Sequence, residues 1–266
     1  MPTLTGYTTM DPSPRVDVLI GAGEVSGSAS TLTVFQSSVA GEFEVRGGSG
    51  LPAAGGAFVV DYEAPLGVEV TYFARQYAAD GTLIGPTGTA AITLTFPAGM
   101  AVFSDPLAPR SAVQVQCLRG FAEELTPARR SSTYRVGRET ITLMDQVSGF
   151  TGISLPVATF TSVDADALEA LLDEGRVLVR TAPPMRVPRV LHVGVAAATQ
   201  RALDFHNGGE TVTWSMSGEQ IAPSQVGIIV APVTWQRYVN AFVTWQDMIN
   251  AYPTWLDAIR NPPAEA

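Results

Sequence analysis

Short runs in which apolar and polar residues alternate follow one another along the chain up to about residue 220. The clearest run covers residues 68–75, where Val68, Val70 and Tyr72 fall on one face of an extended chain. A period of two residues is typical of a half-buried strand, because successive side chains of a strand point to opposite faces. In the first third of the chain this pattern predicts six strands, at residues 15–20, 31–36, 42–46, 57–62, 67–76 and 90–96.

Glycine- and proline-rich turns separate these strands, at residues 47–50, 55–56, 80–81 and 85–86. Turns of this composition mark the points at which neighbouring strands reverse direction. Residues 1–97 contain no segment with a helical period. They are therefore predicted to form one β-sandwich domain, since several short strands between frequent turns are typical of that architecture.

The alternating pattern continues after a Pro/Gly break at residues 97–99, but one helix interrupts it. Leu168, Leu171 and Leu172 have helical spacing, and Gly175 follows at the position of a C-cap. A helix is therefore predicted over residues 164–174. Residues 98–227 are predicted to form a second domain, a β-barrel or sandwich that carries this helix. Its predicted strands are residues 111–118, 131–136, 140–144, 154–160, 176–181, 187–194 and 211–216.

Residues 228–266 differ again, because they contain a tandem repeat of ten residues. The three copies occupy residues 231–240, 241–250 and 251–260. Alanine, threonine and tryptophan are identical in all three copies, and the ninth position is always Val or Ile. Thr244 and Thr254 each precede an Asp by three residues, which is the spacing of a capping box. The segment is predicted to be an arm of three short helical turns, each of which presents a tryptophan.

Composition and charge exclude several classes of protein. The chain carries 25 acidic residues against 16 basic ones, a formal net charge of −9. Binding to a nucleic-acid backbone needs a clustered basic surface, so no nucleic-acid partner is expected. No run approaches the roughly 18 apolar residues of a membrane span, so no membrane insertion is expected. Residues 1–10 lack the basic and apolar regions of a signal peptide.

Candidate chemical groups are few and dispersed. The glycine-rich residues 21–27 lead into another predicted strand and are interpreted as a loop, because a dinucleotide-binding turn needs a helix at that point. His192 and His206 lack the spacing of metal ligands, and no serine stands in a nucleophile elbow. Cys117 alternates with polar neighbours and is predicted to lie in the core. The chain is therefore predicted not to be an enzyme, with no catalytic residue, metal or cofactor.

The tandem repeat resembles the C-terminal tails of minor tail proteins from long-tailed phages of GC-rich actinobacteria. The residues that carry this resemblance are Thr244-Trp245-Gln246-Asp247, Ala251-Tyr252-Pro253 and Thr254-Trp255-Leu256-Asp257. The first copy departs from the pattern, with Arg237 where Asp is expected. Residues 140–144 and 166–183 resemble the strand, helix and strand of the distal-tail or tail-tip β-barrel of that family. Residues 1–95 resemble the fibronectin type III modules often added to such proteins.

The resemblance implies a structural subunit of a phage tail tip, a homo-oligomer whose trimeric or hexameric ring joins the tail tube to the host-recognition apparatus of the virion. It also implies synthesis in the host cytoplasm, and other tail-tip and tail-tube subunits as partners. The expected partner-binding residues are Trp235, Trp245, Trp255, Phe242 and Tyr252.

Alternatives to this interpretation stay open. One is a receptor- or carbohydrate-binding module of the virion, in which exposed tryptophans stack on sugars. Another is a hydrolase of the cell envelope, which the missing catalytic pattern disfavours. For the arm itself, the alternative is that its tryptophans cover the second domain of the same chain.

Overall fold

The computed structural model describes residues 1–129, 131–136, 139–144, 147, 149–203, 209–223, 235–242, 244–252, 258 and 263. Within these ranges, the side chains of residues 131–134, 136, 139–144 and 235–237 are not described. The fold is mainly β, with 50% of the residues in strands and 12% in helices, and its strands form several antiparallel sheets. The mainly β class predicted from the alternating pattern is confirmed.

Nine strands lie in the first part of the chain. They are β1 (Thr3–Tyr7), β2 (Arg15–Gly21), β3 (Thr31–Ser38), β4 (Gly41–Glu44), β5 (Leu51–Pro52), β6 (Gly56–Asp61), β7 (Glu69–Tyr77), β8 (Leu83–Pro86) and β9 (Ala90–Thr93). One sheet has the order β1-β2-β6, and the other has the order β4-β3-β7-β8, with β5 paired to β3 and β9 paired to β7. The glycine-rich segment after β2 forms a 3-10 turn, Ala22–Glu24, and then leads into β3, so the loop interpretation is confirmed.

The two sheets share one hydrophobic core. Alternate residues of β2, β3 and β7 point into this core, as the period of two requires. The inward side chains are Val16, Val18, Ile20, Leu32, Val34, Val70, Tyr72 and Ala74. Burying one such valine or leucine is worth about 1.5–3 kcal/mol. The arrangement is sandwich-like, because each sheet has one face in the core.

The second part of the chain contains ten strands and one helix in its described residues. They are β10 (Met100–Asp105), β11 (Ala108–Cys117), β12 (Thr126–Ala128), β13 (Ser131–Val136), β14 (Glu139–Met144), β15 (Gly149–Thr151), β16 (Ile153–Thr159), α1 (Ser162–Asp173), β17 (Arg176–Thr181), β18 (Val190–Ala202) and β19 (Val212–Gln220). Six strands close a barrel in the order β10-β11-β16-β19-β18-β17. Closure pairs each of these strands on both sides over part of its length, which removes the open edges of a flat sheet.

The helix α1 follows from local signals in the sequence. The side chain of Thr161 accepts a hydrogen bond from the backbone N–H of Asp164 and caps the first turn. Gly175 has a φ of +69°, and its N–H donates to the carbonyl of Leu172, which ends the helix. Leu168 is fully buried and Leu171 is 2% exposed, both in the core of the barrel. The prediction that these two leucines are buried is confirmed.

One β-ribbon extends beyond the barrel. It lies in the connection from β11 to β16, where β12 pairs with β15 and β13 pairs with β14. The second half of β18 lies instead at an edge of the barrel sheet, because β17 pairs only with Val190–Gly194 whereas β19 pairs with β18 as far as Ala202. Over this stretch β19 pairs on its other side with β16, from Val212 opposite Thr159 to Gly218 opposite Ile153.

Several elements differ from the sequence predictions. Strands β1, β5, β8, β10, β12 and β15 were not predicted, and β18 continues to Ala202 although the pattern ends at residue 194. The extension of β18 has no large apolar residue, because both of its faces are exposed to solvent. Cys117 is half-buried rather than enclosed, since it is the last residue of β11 and lies at the border of the core.

The position of α1 against the barrel can be tested by substitution. Leu171→Ala removes a buried side chain and leaves a cavity, so we expect the free energy of unfolding to fall by about 2–5 kcal/mol. Val163→Ala is the matched control, because Val163 lies in the same helix and is 75% exposed. Urea unfolding followed by circular dichroism measures both variants. Equal stability of the two variants would place the face of α1 that carries Leu171 outside the core.

Candidate functional site

Two short helices form within the tandem repeat, α2 (Trp235–Ala241) and α3 (Trp245–Ala251). The side chain of Thr244 accepts a hydrogen bond from the N–H of Asp247, and the carboxylate of Asp247 accepts one from the N–H of Thr244. This is a complete capping box, so the prediction at Thr244 is confirmed. The equivalent prediction at Thr254 lies outside the described residues.

The repeat segment has a small hydrophobic core of its own. Tyr238, Met248 and Ala258 are buried together, and Phe242 and Tyr252 pack against them. The hydroxyl of Tyr238 donates to the carbonyl of Ala258 at 2.7 Å. The ring of Tyr252 meets the rings of Tyr238 and Phe242 edge to face, with centroids 6.4 and 5.7 Å apart. These contacts hold the copies together, since helices of seven residues are marginal in isolation.

The opposite side of the repeat presents apolar side chains to solvent. Trp245 is 62% exposed and Ile249 is 58% exposed. The two side chains lie four residues apart on α3 and therefore share one face of that helix. Val239 of α2 is also 59% exposed. Large exposed apolar groups of this kind are typical of surfaces that bind another molecule.

The structure divides the five residues expected to bind a partner. Trp245 lies on the exposed face, whereas Phe242 and Tyr252 are half-buried in the small core of the repeat. Trp235 begins α2, but its side chain is not described. Trp255 lies outside the described residues. The spacing within one copy therefore does not keep Trp245 and Tyr252 on one surface, because α3 ends before Tyr252 and the backbone there is extended.

A buried arginine lies at the junction between the sandwich-like first part of the chain (residues 3–93) and the barrel part (residues 100–220). Arg180 of β17 has no exposed surface. Its Nη1 donates to the carbonyl of Pro14 at 2.8 Å and to that of Ala64 at 3.3 Å, and its Nη2 donates to the hydroxyl of Ser13 at 2.7 Å. Burial lowers the pKa of Arg180 to about 10, so the guanidinium stays charged at neutral pH. One side chain thus links two loops of the first part to a strand of the barrel.

Two carboxyl groups of the first part of the chain, Asp61 and Glu63, interact electrostatically with Arg180. Asp61, at the end of β6, accepts a hydrogen bond from the hydroxyl of Tyr72 at 2.8 Å. Burial raises the pKa of Asp61 to about 6, although the hydrogen bond from Tyr72 acts in the opposite direction. In the tyrosine corner of some β-sandwiches, a tyrosine hydroxyl donates to the backbone. The hydroxyl of Tyr72 donates to the side chain of Asp61 instead.

Glu63, in the first part of the chain, also contacts the barrel part, through His192 of β18. Its carboxylate pairs with Arg46 and lies 3.5 Å from Nε2 of His192. Burial raises the pKa of Glu63, but the hydrogen bonds from His192 and Arg46 outweigh burial and lower that pKa below its usual value. His192 was predicted to be a polar position on a strand face, and its partner is an acid of the other part of the chain.

The junction is also closely packed. Gly67 has a φ of +67°, and a Cβ at this position would stand 2.3 Å from Cδ of Pro183. Any larger residue at position 67 would therefore push the two parts of the chain apart. Val102 and Ala182, from the barrel part, belong to the hydrophobic core of the first part.

The chemistry that these groups can perform is limited by their surroundings. Burial raises the pKa of the Cys117 thiol to about 12, so little reactive thiolate forms at neutral pH. The cavity beside His192 has a volume of about 20 Å³, enough for roughly one water molecule. Within the described ranges, no three His, Cys, Asp or Glu side chains gather closely enough to hold a metal ion. His206 lies outside the described residues.

The sequence offered only a faint signal for the junction. Arg180 stands in the strand Val177-Leu178-Val179-Arg180-Thr181, where four of its neighbours are buried. A charged residue inside such a run indicates a buried partner, but nothing in the sequence identifies Ser13, Pro14 and Ala64 as that partner. They lie more than 100 positions away, at separations of 167, 166 and 116 residues.

Comparisons with known proteins identify no relative: no family model, no curated protein and no solved structure matches the chain. None of the helices in the described part of the chain is both long enough and apolar enough to cross a membrane.

The junction predicts a large effect of losing the arginine. Arg180→Met keeps most of the side-chain volume but leaves the carbonyls of Pro14 and Ala64 without their donor. We expect the free energy of unfolding to fall by about 3–5 kcal/mol, the usual cost of removing one partner from a buried charged network. Arg176→Met on the same strand is the control, because Arg176 is exposed. A loss no larger than that of the control would contradict the role given to Arg180.

The raised pKa of Asp61 predicts a pH dependence. Between its unfolded value of 3.8 and its folded value of about 6, the folded state binds more protons than the unfolded state. Its contribution to stability is therefore lost as the pH rises through this window. In Asp61→Asn this loss is absent, so the variant gains about 3 kcal/mol relative to the wild type between pH 4 and pH 7. Urea unfolding of both proteins across this range measures the difference; a constant difference would contradict the prediction.

Proposed function

We propose that this chain is a structural subunit of the tail tip of a long-tailed phage. In this proposal the subunit joins the tail tube to the host-recognition apparatus as part of a trimeric or hexameric ring. The observation that carries the proposal is the tandem repeat, which has its own small core and still exposes Trp245 and Ile249. Large apolar side chains that are more than half exposed are suited to contact with a neighbouring subunit.

The division of the chain is part of the same proposal. Residues 1–97 act as a fibronectin type III-like module, residues 98–227 as the tail-tip barrel and residues 228–266 as the assembly arm. The helix α1 followed directly by the barrel strand β17 supports this assignment, because the resemblance at residues 166–183 is also a helix followed by a strand. Residues 140–144, the first strand of the resemblance, form β14, which pairs with β13 in a separate two-stranded sheet. The β-ribbon that leaves the barrel between β11 and β16 supports it as well, since extended β-structures supply contacts between subunits.

The proposal also assigns no enzymatic activity and no cofactor to the chain. The polar groups at the junction are Arg180, Asp61, Glu63 and His192. Arg180 donates to backbone carbonyls and to Ser13, Asp61 accepts from Tyr72, and Glu63 contacts Arg46 and His192. Their contacts serve to fix the two parts of the chain in one arrangement. A catalytic site needs, in addition, room for a substrate beside such groups.

A second function is favoured by the exposure of Trp245. An aromatic ring at the surface can stack on the face of a sugar, so a receptor- or carbohydrate-binding module of the virion is the competing proposal. A glycan array with the full chain distinguishes the two. Saturable binding that Trp245→Ala abolishes would favour the carbohydrate-binding module over the assembly arm.

The assembly role of the repeat can be tested in phage particles. Trp245→Ala in the full chain removes an exposed side chain, so we expect a folded protein whose incorporation into tails falls at least several-fold. Gln246→Ala is the matched control, since Gln246 is exposed on the same helix and contacts only Asn250 among the hydrogen bonds of α3. Quantitative mass spectrometry of purified particles measures incorporation.

Deletion of residues 228–266 gives a second readout. The truncated chain is expected to be soluble and folded but absent from tails. A truncated chain that misfolds alone in solution would show that the arm belongs to the core of the monomer. Tails with a normal content of the truncated chain would contradict the assembly role.

A further inference from the structure

The second half of β18 has an open edge. Val195 donates its N–H to the carbonyl of Gly175, and beyond this point β18 pairs only with β19 among the described residues. Every residue from Ala196 to Ala202 is exposed. Strand β17 begins at Arg176, which lies opposite Gly194, so β17 does not run beside the later residues of β18. Among the described residues, the backbone of Ala196–Ala202 therefore has no partner strand on that side.

The direction of the backbone groups on this edge follows from two hydrogen bonds. The N–H of Leu203 donates to the carbonyl of Thr211 at 2.8 Å, and the carbonyl of Arg201 accepts from the hydroxyl of Thr213 at 3.1 Å. Leu203 and Arg201 therefore direct their backbone groups toward β19. In an antiparallel pair such groups alternate in direction, so Ala198, Gln200 and Ala202 direct theirs toward the open edge.

Exposed edge strands are usually protected by lysine, proline, inward charges, β-bulges or a covering loop. Among the described residues, the edge from Ala197 to Ala202 has no lysine, proline or acidic residue, and the irregularity between Val195 and Ala197 precedes it. The sequence from residue 196 to residue 202 is Ala-Ala-Ala-Thr-Gln-Arg-Ala, with Arg201 as its single charged residue. Its small side chains leave the backbone accessible from both faces.

The same edge is complementary to itself. Two copies placed antiparallel about Thr199 bring Ala198 of one copy opposite Gln200 of the other, which joins residues whose backbone groups both face outward. Ala197 then stands opposite Arg201, and the two Arg201 side chains lie about 14 Å apart along the strands. No like charges oppose each other directly. The two pairs of Ala198 with Gln200 would form about four backbone hydrogen bonds.

The distribution of charge along the chain also favours a contact between two copies at this segment. Two copies with a formal net charge of −9 each repel one another. From residue 195 to residue 203 the chain carries one positive charge and no negative charge, and the paired residues 211–218 of β19 carry none. A contact through the edge of β18 therefore brings two copies together where electrostatic repulsion between their acidic surfaces is weakest.

We propose that the open edge of β18 binds a second copy of this chain and forms a two-fold symmetric dimer centred on Thr199. A contact of this kind is isologous, and two-fold dimers are the commonest oligomers of soluble proteins. The proposal does not depend on the tail-tip function, since it concerns the free protein.

A cysteine at the centre of the pairing tests the register. In the proposed dimer the two Thr199 residues form a non-hydrogen-bonded pair, with Cα atoms about 4.5 Å apart, which is a distance that a disulfide can span. Thr199→Cys in a Cys117→Ala background is therefore expected to give a cross-linked dimer under mild oxidation. Arg201→Cys in the same background is the matched control, because the two cysteines would be about 14 Å apart and no bridge can form.

The mass of the unmodified protein gives an independent measurement. Light scattering after size exclusion of the full chain is expected to give about 56 kDa, twice the 28.1 kDa of the monomer. Thr199→Glu places two carboxylates directly opposite each other and is expected to return the mass to that of a monomer, whereas Thr199→Val keeps the dimer.

Three results would overturn the proposal. One is a wild-type mass of 28.1 kDa at tens of micromolar protein. Another is equal cross-linking of Thr199→Cys and Arg201→Cys, which would indicate random collision. The third is a trimer or hexamer in which Thr199→Cys forms no disulfide; this result would leave the proposed ring intact and would exclude the two-fold contact.

Discussion

The contact on which the arrangement of this protein depends is the buried guanidinium of Arg180. A charged group without exposed surface is expensive to bury, and its burial is tolerated because two carbonyls and a hydroxyl accept hydrogen bonds from Nη1 and Nη2. The Nε of Arg180 has no hydrogen-bond partner among the described residues. All three acceptors belong to the first part of the chain, whereas Arg180 belongs to the barrel. The charge is therefore satisfied only when the two parts are in contact, which makes their relative position specific.

The same requirement explains the acids that surround this arginine. Asp61 and Glu63 lie at the end of β6 and after it, and their pKa values move in opposite directions because their partners differ. Asp61 is deeply buried against a tyrosine hydroxyl, and Glu63 has two basic partners. The junction uses its titratable groups to connect two β-structures. In the described part of the chain, the exposed edge of β18 and the terminal repeat are the surfaces proposed to contact other molecules.

The edge of β18 and the terminal repeat are exposed for two different physical reasons. In β18 the backbone is exposed, because the barrel closes through Val190–Gly194 and leaves the following residues without a second neighbour. In the repeat the side chains are exposed, because short helices need a core and the aromatic residues Tyr238, Phe242 and Tyr252 supply it. Trp245 then lies outside that core. One surface offers hydrogen bonds and the other offers apolar area.

The sequence by itself determined the features that depend on neighbouring residues. The strands with alternating residues, the helix α1 with its Thr161 cap and Gly175 end, and the capping box at Thr244 all rest on contacts within a few positions. Only the tertiary structure decided the features that depend on distant contacts. The partners of Arg180 lie more than 100 residues away. The extension of β18 has no periodic pattern because neither of its faces is buried, and Phe242 and Tyr252 turn inward because the copies of the repeat pack on each other.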